Sequence, residues 1–234
     1  MALLEVQSLH AWYGQAQILF DVSLAVEAGE TVVLLGRNGA GKSTTLKAIM
    51  GLVRRKRGAI IYDGVRIDTM PTHRIARLGL GYVPEDRRIF AGLTVEENLA
   101  VGRLPARDEH AWTPELLFRL FPNLAETRGR AGGQMSGGEQ QMLTIARTLM
   151  GNPRFMLLDE PSEGLAPVVV DRIAGVVREL KRRGVGMLVS EQNVSFARAI
   201  ADRAYVIERG QIRLAGTFPE LDADPTLRER YLGV

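Results

Sequence analysis

The chain has no cysteine, which excludes disulfides and thiolate metal sites but leaves the compartment open. It also lacks any apolar run near the ~20 residues needed to cross a bilayer, so it is read as non-spanning. No internal repeat or low-complexity linker is visible. The opening residues Met1 to Leu9 include Glu5 and Gln7, with no basic segment leading into an apolar one, and do not read as a signal peptide. These absences together favour the cytoplasm.

What remains is ordinary for a soluble globular protein: 234 residues, 46% hydrophobic and 24% charged. That length suits one domain with a sizeable core and room for a subdomain. The net charge is +3, but 27 acidic residues are scattered among 30 basic ones, so no nucleic-acid partner is expected. The one dense basic run, Arg54 to Arg57, is expected in a surface turn. It reads as a solvated face, with an anionic surface such as lipid head groups as the alternative.

Apolar and polar residues alternate over the first thirty positions, predicting antiparallel strands. Thr31 to Leu35 predicts a buried strand running into a glycine-rich turn, and Ser43 to Met50 a helix. Asp63-Gly64 is a favoured hairpin dipeptide between Ile60–Tyr62 and Val65–Ile67. A further strand ends over Gly81 to Pro84. From about Thr94 to Met150 the pattern turns helical, over Val95–Val101, Pro114–Phe121 and Gly138–Leu149. Strand and helix then alternate again, and a last hairpin and a helix near Thr226 to Tyr231 close the chain. The expected fold is an α/β P-loop core with a mainly parallel sheet and an N-terminal antiparallel part. A helical subdomain is inserted at about 91–152, between core segments 1–90 and 153–234, all within one domain.

Three motifs carry chemistry. Gly36, Arg37, Asn38, Gly39, Ala40, Gly41, Lys42 and Ser43 fit the P-loop pattern, after an apolar strand and before a helix. Small residues there let backbone N–H groups cradle phosphate oxygens at a helix N-terminus. Lys42 is expected to reach the β- and γ-phosphates of ATP, Ser43 to ligate Mg²⁺, and Thr44 to complete the nucleotide contacts. Phe155 to Leu158 is a buried strand delivering two acids: Asp159 for Mg²⁺, and Glu160 as general base for the attacking water. The third motif is Met135-Ser136-Gly137-Gly138-Glu139-Gln140-Gln141, in which Ser136 and two glycines open a helix and make a second anion-binding N-terminus.

With the first two motifs, this third one resembles the signature loop of ABC ATPases, usually Leu-Ser-Gly-Gly-Gln. The resemblance spans the whole chain and implies a head-to-tail dimer in which Ser136, Gly137, Gly138 and Glu139 cap the nucleotide held by the partner's P-loop. It further implies that Tyr13 stacks on adenine, that Glu85 stands where a glutamine touches Mg²⁺ and water, and that Glu163 to Ala166 faces the second subunit. Gln192 occupies the position of a histidine that senses the γ-phosphate, and the only histidines are His10, His73 and His110. An amide can donate a hydrogen bond to phosphate but carries no proton or charge, so hydrolysis is expected to lean on Glu160.

Glu85 with Arg87-Arg88-Ile89-Phe90, the signature, Gly164-Leu165-Ala166-Pro167, Glu191-Gln192-Asn193 and Tyr231-Leu232-Gly233 together are similar to LivF-type ATPases of branched-chain amino acid importers. Urea and short-amide import ATPases are close relatives. The implied partners are a second ABC ATPase subunit, a separate membrane permease and, indirectly, a solute-binding protein, with the chain peripheral on the inner face of the membrane. A non-transport ABC ATPase acting on nucleic acid is the weaker alternative, because fused cassettes and a long coiled coil are both missing. A P-loop kinase or GTPase leaves the signature unexplained.

Overall fold

The computed structural model describes residues 2–105 and 111–223. The expected helix near Thr226 to Tyr231, the Tyr231-Leu232-Gly233 ending and His110 lie outside the described residues. Strands β1 (Ala2–Tyr13) and β2 (Ala16–Glu27) form a long antiparallel hairpin, and β3 (Thr31–Leu35) leads into α1 (Lys42–Ile49). Strands β4 (Arg55–Tyr62) and β5 (Val65–Arg66) form a second hairpin, with positive φ at both Asp63 and Gly64 as a two-residue turn demands. These strands make one antiparallel sheet in the order β2-β1-β4-β5.

The chain continues through α2 (Thr72–Arg77) and β6 (Leu80–Val83) to α3 (Val95–Val101), α4 (Pro114–Leu120), α5 (Pro122–Glu126) and α6 (Gly137–Leu149). It then alternates through β7 (Phe155–Asp159), α7 (Pro167–Arg182), β8 (Gly186–Glu191), α8 (Val194–Ile200), β9 (Arg203–Glu208), β10 (Gln211–Gly216) and α9 (Phe218–Asp222). The second sheet runs β10-β9-β3-β8-β7-β6, parallel except for β10. No helix among the described residues is long and apolar enough to cross a membrane.

The parallel sheet is buried on both faces, and period-two alternation decides which residue goes where. Val33, Leu35, Met156, Leu158, Met187 and Val189 join the core beneath α3 to α8. Their neighbours Val32, Leu34, Phe155, Leu157 and Leu188 join the core shared with the antiparallel sheet and α1. Each such side chain, fully buried, contributes about 1.5–3 kcal/mol. Helix α7 buries Ile173, Ala174, Val176, Val177 and Leu180 on one stripe. It stops in a Schellman motif, with Gly184 N–H on Lys181 and Val185 N–H on Leu180.

The basic run corrects one expectation. Arg55 to Arg57 lie within β4, not in a turn, because they pair with β1 in register: Trp12 with Arg55, Ala11 with Lys56 and His10 with Arg57. The exposed guanidinium of Arg55 lies 5.1 Å and that of Arg57 6.0 Å from the Trp12 ring. Cation–π contact lets a charged row sit on an exposed sheet face.

A third hairpin turn, between β9 and β10, welds the two sheets to the P-loop. Arg209 and Gly210 both have positive φ, and a Cβ on Gly210 would meet the Ile18 carbonyl at 1.9 Å. Gly210 donates to Ala40 O and accepts from Phe20 N–H, both at 2.8 Å.

Candidate active site

Three strands bring their carboxyl ends to one edge, the usual place for ligands in open parallel sheets. β8 lies between β3 and β7, and the register sets Leu35 beside Glu191 and Asp159 beside Ser190. Residues far apart in sequence meet because adjacent parallel strands end together.

The P-loop leaves β3 and enters α1 through Gly41, whose φ of 112° opens the helix. A Cβ there would press on Leu19 at 2.8 Å, so conformation and space both require glycine. Lys42 is buried and donates to the carbonyls of Gly36 at 2.7 Å and Arg37 at 3.0 Å. Its ammonium also lies 2.9 Å from a Glu160 carboxylate oxygen. Ser43 and Thr44 occupy the first turn of α1.

Asp159 is fully buried at the end of β7. Its carboxylate accepts from Ser190 Oγ at 2.7 Å and from the Tyr82 hydroxyl at 3.0 Å. Burial first, and then the Asp159 charge, push the Tyr82 phenol well above its ordinary pKa, so it stays a donor. Glu160 leaves the strand with a φ of 48°, its N–H held by the carbonyl and the Oγ of Ser190, each at 3.1 Å. Burial raises the Glu160 pKa above the usual carboxylate range, Lys42 acts in the opposite sense, and the Glu163 and Glu191 charges reinforce burial. A raised pKa strengthens a carboxylate as a general base.

Gln192 follows β8 with its side chain exposed. It lines two clefts, as does Asn38. One cleft, of about 430 Å³, also takes in Gly36 to Ala40, Val206 and Ile207. The other, of about 600 Å³, takes in Glu160, Ser162, Glu163 and Gly164. The P-loop, Asp159, Glu160 and Gln192 thus share one edge.

The other expected residues stand elsewhere. Tyr13 is exposed at the end of β1, and Glu85 is exposed after β6; neither lines these clefts. Ser136 caps α6 in a reciprocal capping box, its hydroxyl donating to Glu139 at 2.7 Å and its N–H donating to the same carboxylate at 2.8 Å. Gly137 and Gly138 form the first turn, and α6 packs on α3, α5 and β6, whereas α1 packs on β7, β8, β1 and β2. The N-termini of α1 and α6 therefore sit on different parts of the molecule.

Between them runs the Glu85–Leu93 loop, with Arg87 and Arg88 both at positive φ. Thr144 Oγ1 donates to Arg87 O and Arg147 to Arg88 O, each at 2.7 Å. Fully buried Asn98 accepts from Phe90 N–H and donates to the carbonyls of Phe90, Leu93 and Thr94. Sequence reasoning missed Asn98, Tyr82 and Ser190. Their roles are set by partners between 4 and 77 positions away.

The residues fit nucleoside triphosphate and Mg²⁺. Gly39 and Gly41 take the positive φ that a tight phosphate-binding turn needs, and Lys42 provides the cation. Among the described residues no cluster of three or more His, Cys, Asp or Glu could hold a metal by itself. Mg²⁺ takes oxygen ligands, and Ser43 in the first turn of α1 and Asp159 at the end of β7 supply a hydroxyl and a carboxylate.

A P-loop between β3 and α1, a buried acidic strand end and the capped N-terminus of α6 are the parts of an ATPase cassette. The chain belongs to the ABC transporter family, whose model matches residues 19–163. It is 44% identical over 232 residues to the high-affinity branched-chain amino acid transport ATP-binding protein BraG of Pseudomonas aeruginosa, covering 99% of this chain and 100% of that one. It is 37% identical over 238 residues to the lipopolysaccharide export system ATP-binding protein LptB of Haemophilus influenzae, covering 100% and 98%. Among solved structures, an ATP-binding subunit of an ABC transporter superposes with a TM-score of 0.84 at 31% identity, over 99% of this chain and 96% of that one. An ATP-binding cassette in its ADP conformation superposes at 0.82 with 26% identity over the full length of both. The chain is an ATP-binding, ATP-hydrolysing subunit of an ABC transporter, with a mixed α/β P-loop fold.

Proposed function

We propose that this subunit powers import of branched-chain amino acids through a separate membrane permease, from the inner face of the membrane. Two cassettes pair head to tail, and a solute-binding protein delivers cargo on the far side. The observation that carries the catalytic part is the buried Glu160 carboxylate, 2.9 Å from Lys42 at the P-loop edge. Water attacks the γ-phosphorus, Glu160 accepts its proton, and ADP leaves. Tyr13 stacks on adenine; Gly36 to Thr44 hold the phosphates. Ser43, Asp159 and Glu85 would hold Mg²⁺, which would neutralise phosphate charge when bound. Gln192 donates its amide to the γ-phosphate, and Ser136 to Glu139 cap the nucleotide of the facing subunit. The Glu85–Asn98 segment passes closure on to the permease.

The cargo assignment is supported by the likeness to BraG over the whole chain. A second reading, export of a lipid-linked saccharide, is favoured by the likeness to LptB over the same length. The same motor serving urea or short amides is a third. The test is uptake of labelled leucine, with labelled urea alongside, in source cells lacking this chain. Loss of leucine uptake alone, restored by wild type but not by Lys42→Ala, is the expected result. Loss of urea uptake alone, or a defect confined to outer-envelope lipopolysaccharide, overturns the cargo while leaving the motor.

A further inference from the structure

Glu191 has no role in the scheme above, yet it joins three of its parts. It ends β8 with 1% exposure. Its carbonyl accepts from Gly36 N–H at 3.2 Å, where the P-loop begins. One carboxylate oxygen accepts from Ser162 N–H at 3.1 Å. The other accepts from the N–H groups of Gln192 and Asn193, each at 3.1 Å. Ser162 lies two residues beyond Glu160, on the loop that lines the larger cleft with Glu163 and Gly164.

The geometry points to Glu191 as a positioning residue for ATP hydrolysis, a clasp fixing the loop of Glu160 and Ser162 to the loop of Gln192. This rests on the roles proposed above for Glu160 and Gln192. The chemistry of the side chain favours a clasp over simple packing. Burying a carboxylate is unfavourable unless hydrogen bonds compensate, and an apolar residue would end the strand at lower cost. Burial does push the Glu191 carboxyl above the usual range, and hydrogen bonding from the Ser162 side chain first, and then from the three N–H donors, works against that. Only an acidic side chain offers two oxygens that both accept. Glutamine keeps one acceptor and turns an NH₂ toward a backbone N–H, so one loop is released. Aspartate, a methylene shorter, keeps the local bonds to Gln192 and Asn193 but does not span to Ser162.

This difference makes Glu191→Asp the informative variant. In steady-state Mg-ATP hydrolysis by the full-length chain, kcat is expected to fall about ten-fold or more while KM for ATP stays within about three-fold. The thermal midpoint, read on the same sample, should move by no more than about 3 °C. Glu191→Gln should lose at least as much kcat. Adding Gln192→Ala to Glu191→Asp should cost much less than Gln192→Ala costs in the wild type, because the loop of Glu160 and Ser162, with which the amide works, is already released from it. Wild-type kcat in Glu191→Asp would reduce Glu191 to the cap of its own turn and overturn the clasp. So would a fall in kcat that tracks equal losses of ATP affinity and thermal midpoint, or effects of the two substitutions that simply multiply. Turnover surviving in Glu160→Gln sinks the base assignment instead, and leaves the kcat-against-KM split of Glu191→Asp to judge the clasp separately.

Discussion

The phosphate edge and the signature edge use similar parts in opposite ways. At the carboxyl ends of β3, β7 and β8, Lys42, Asp159, Glu160 and Glu191 are buried, and each meets a partner within the chain. At the N-terminus of α6 Ser136 is exposed and Glu139 half-buried, and Glu85 and Phe90 nearby are exposed. Buried polar groups that satisfy one another are pre-organised, and withdrawing one member leaves the rest desolvated and unpaired. Exposed groups have water as a substitute. The first edge is therefore sensitive to single substitutions within one chain, whereas the second is spare in the monomer and gains importance when another surface covers it.

The sharpest way to break this comparison is Glu160→Gln. Turnover is expected to drop by about 10²–10⁴-fold with ATP binding kept, read by phosphate release and nucleotide titration, and ATP should then trap a closed dimer on size exclusion. Undiminished turnover would sink the base assignment. Next comes Lys42→Met, which removes the cation beside buried Glu160 and should cost about 1–3 kcal/mol in denaturant unfolding at neutral pH. The sign with pH follows from the raised pKa of Glu160. A carboxyl whose folded pKa lies above its unfolded value favours the fold at low pH, and that contribution is lost as pH rises through the folded value. Lys42 works against that rise, so its removal widens the window, and the variant should lose stability more steeply than wild type from acid toward neutral pH.

Asn98→Ala tests the loop between the two edges. It takes one hydrogen bond from each of three carbonyls, which keep a backbone donor apiece, leaves Phe90 N–H without its side-chain acceptor, and should cost about 2 kcal/mol, with protease cleavage focused on the Glu85–Leu93 loop. Gln192→Ala should lower hydrolysis about ten-fold with ATP affinity kept. An unchanged rate would mean that this amide does not sense phosphate. The smallest effect is expected at the exposed edge, where Glu139→Ala opens the capping box at a cost of about 1 kcal/mol. The Ser136 hydroxyl first, and then its N–H, hold the Glu139 pKa below the usual range. Its contribution is therefore present above the ordinary Glu pKa and lost as pH falls through the lower folded one, which an NMR titration would follow.

Local chemistry determined much of this protein from sequence alone. The P-loop, the apolar strand ending in Asp159-Glu160 and the Ser136 capping box each lie within a few consecutive residues, where backbone conformation and residue type are directly coupled. The strands and most helices were legible for the same reason, through period-two and period-3.6 alternation. Arg55 to Arg57 were misplaced because their strand character comes from pairing with Trp12 and His10, more than forty positions earlier. Short α2, α5 and α9 have too few turns to impose a period. Only the tertiary structure decided that Ser190 and Tyr82 hold Asp159, that Lys42 meets Glu160, and that Glu191 spans two loops. Those contacts depend on which strands lie side by side and in which register, and parallel pairing over long crossovers leaves no trace in neighbouring residues.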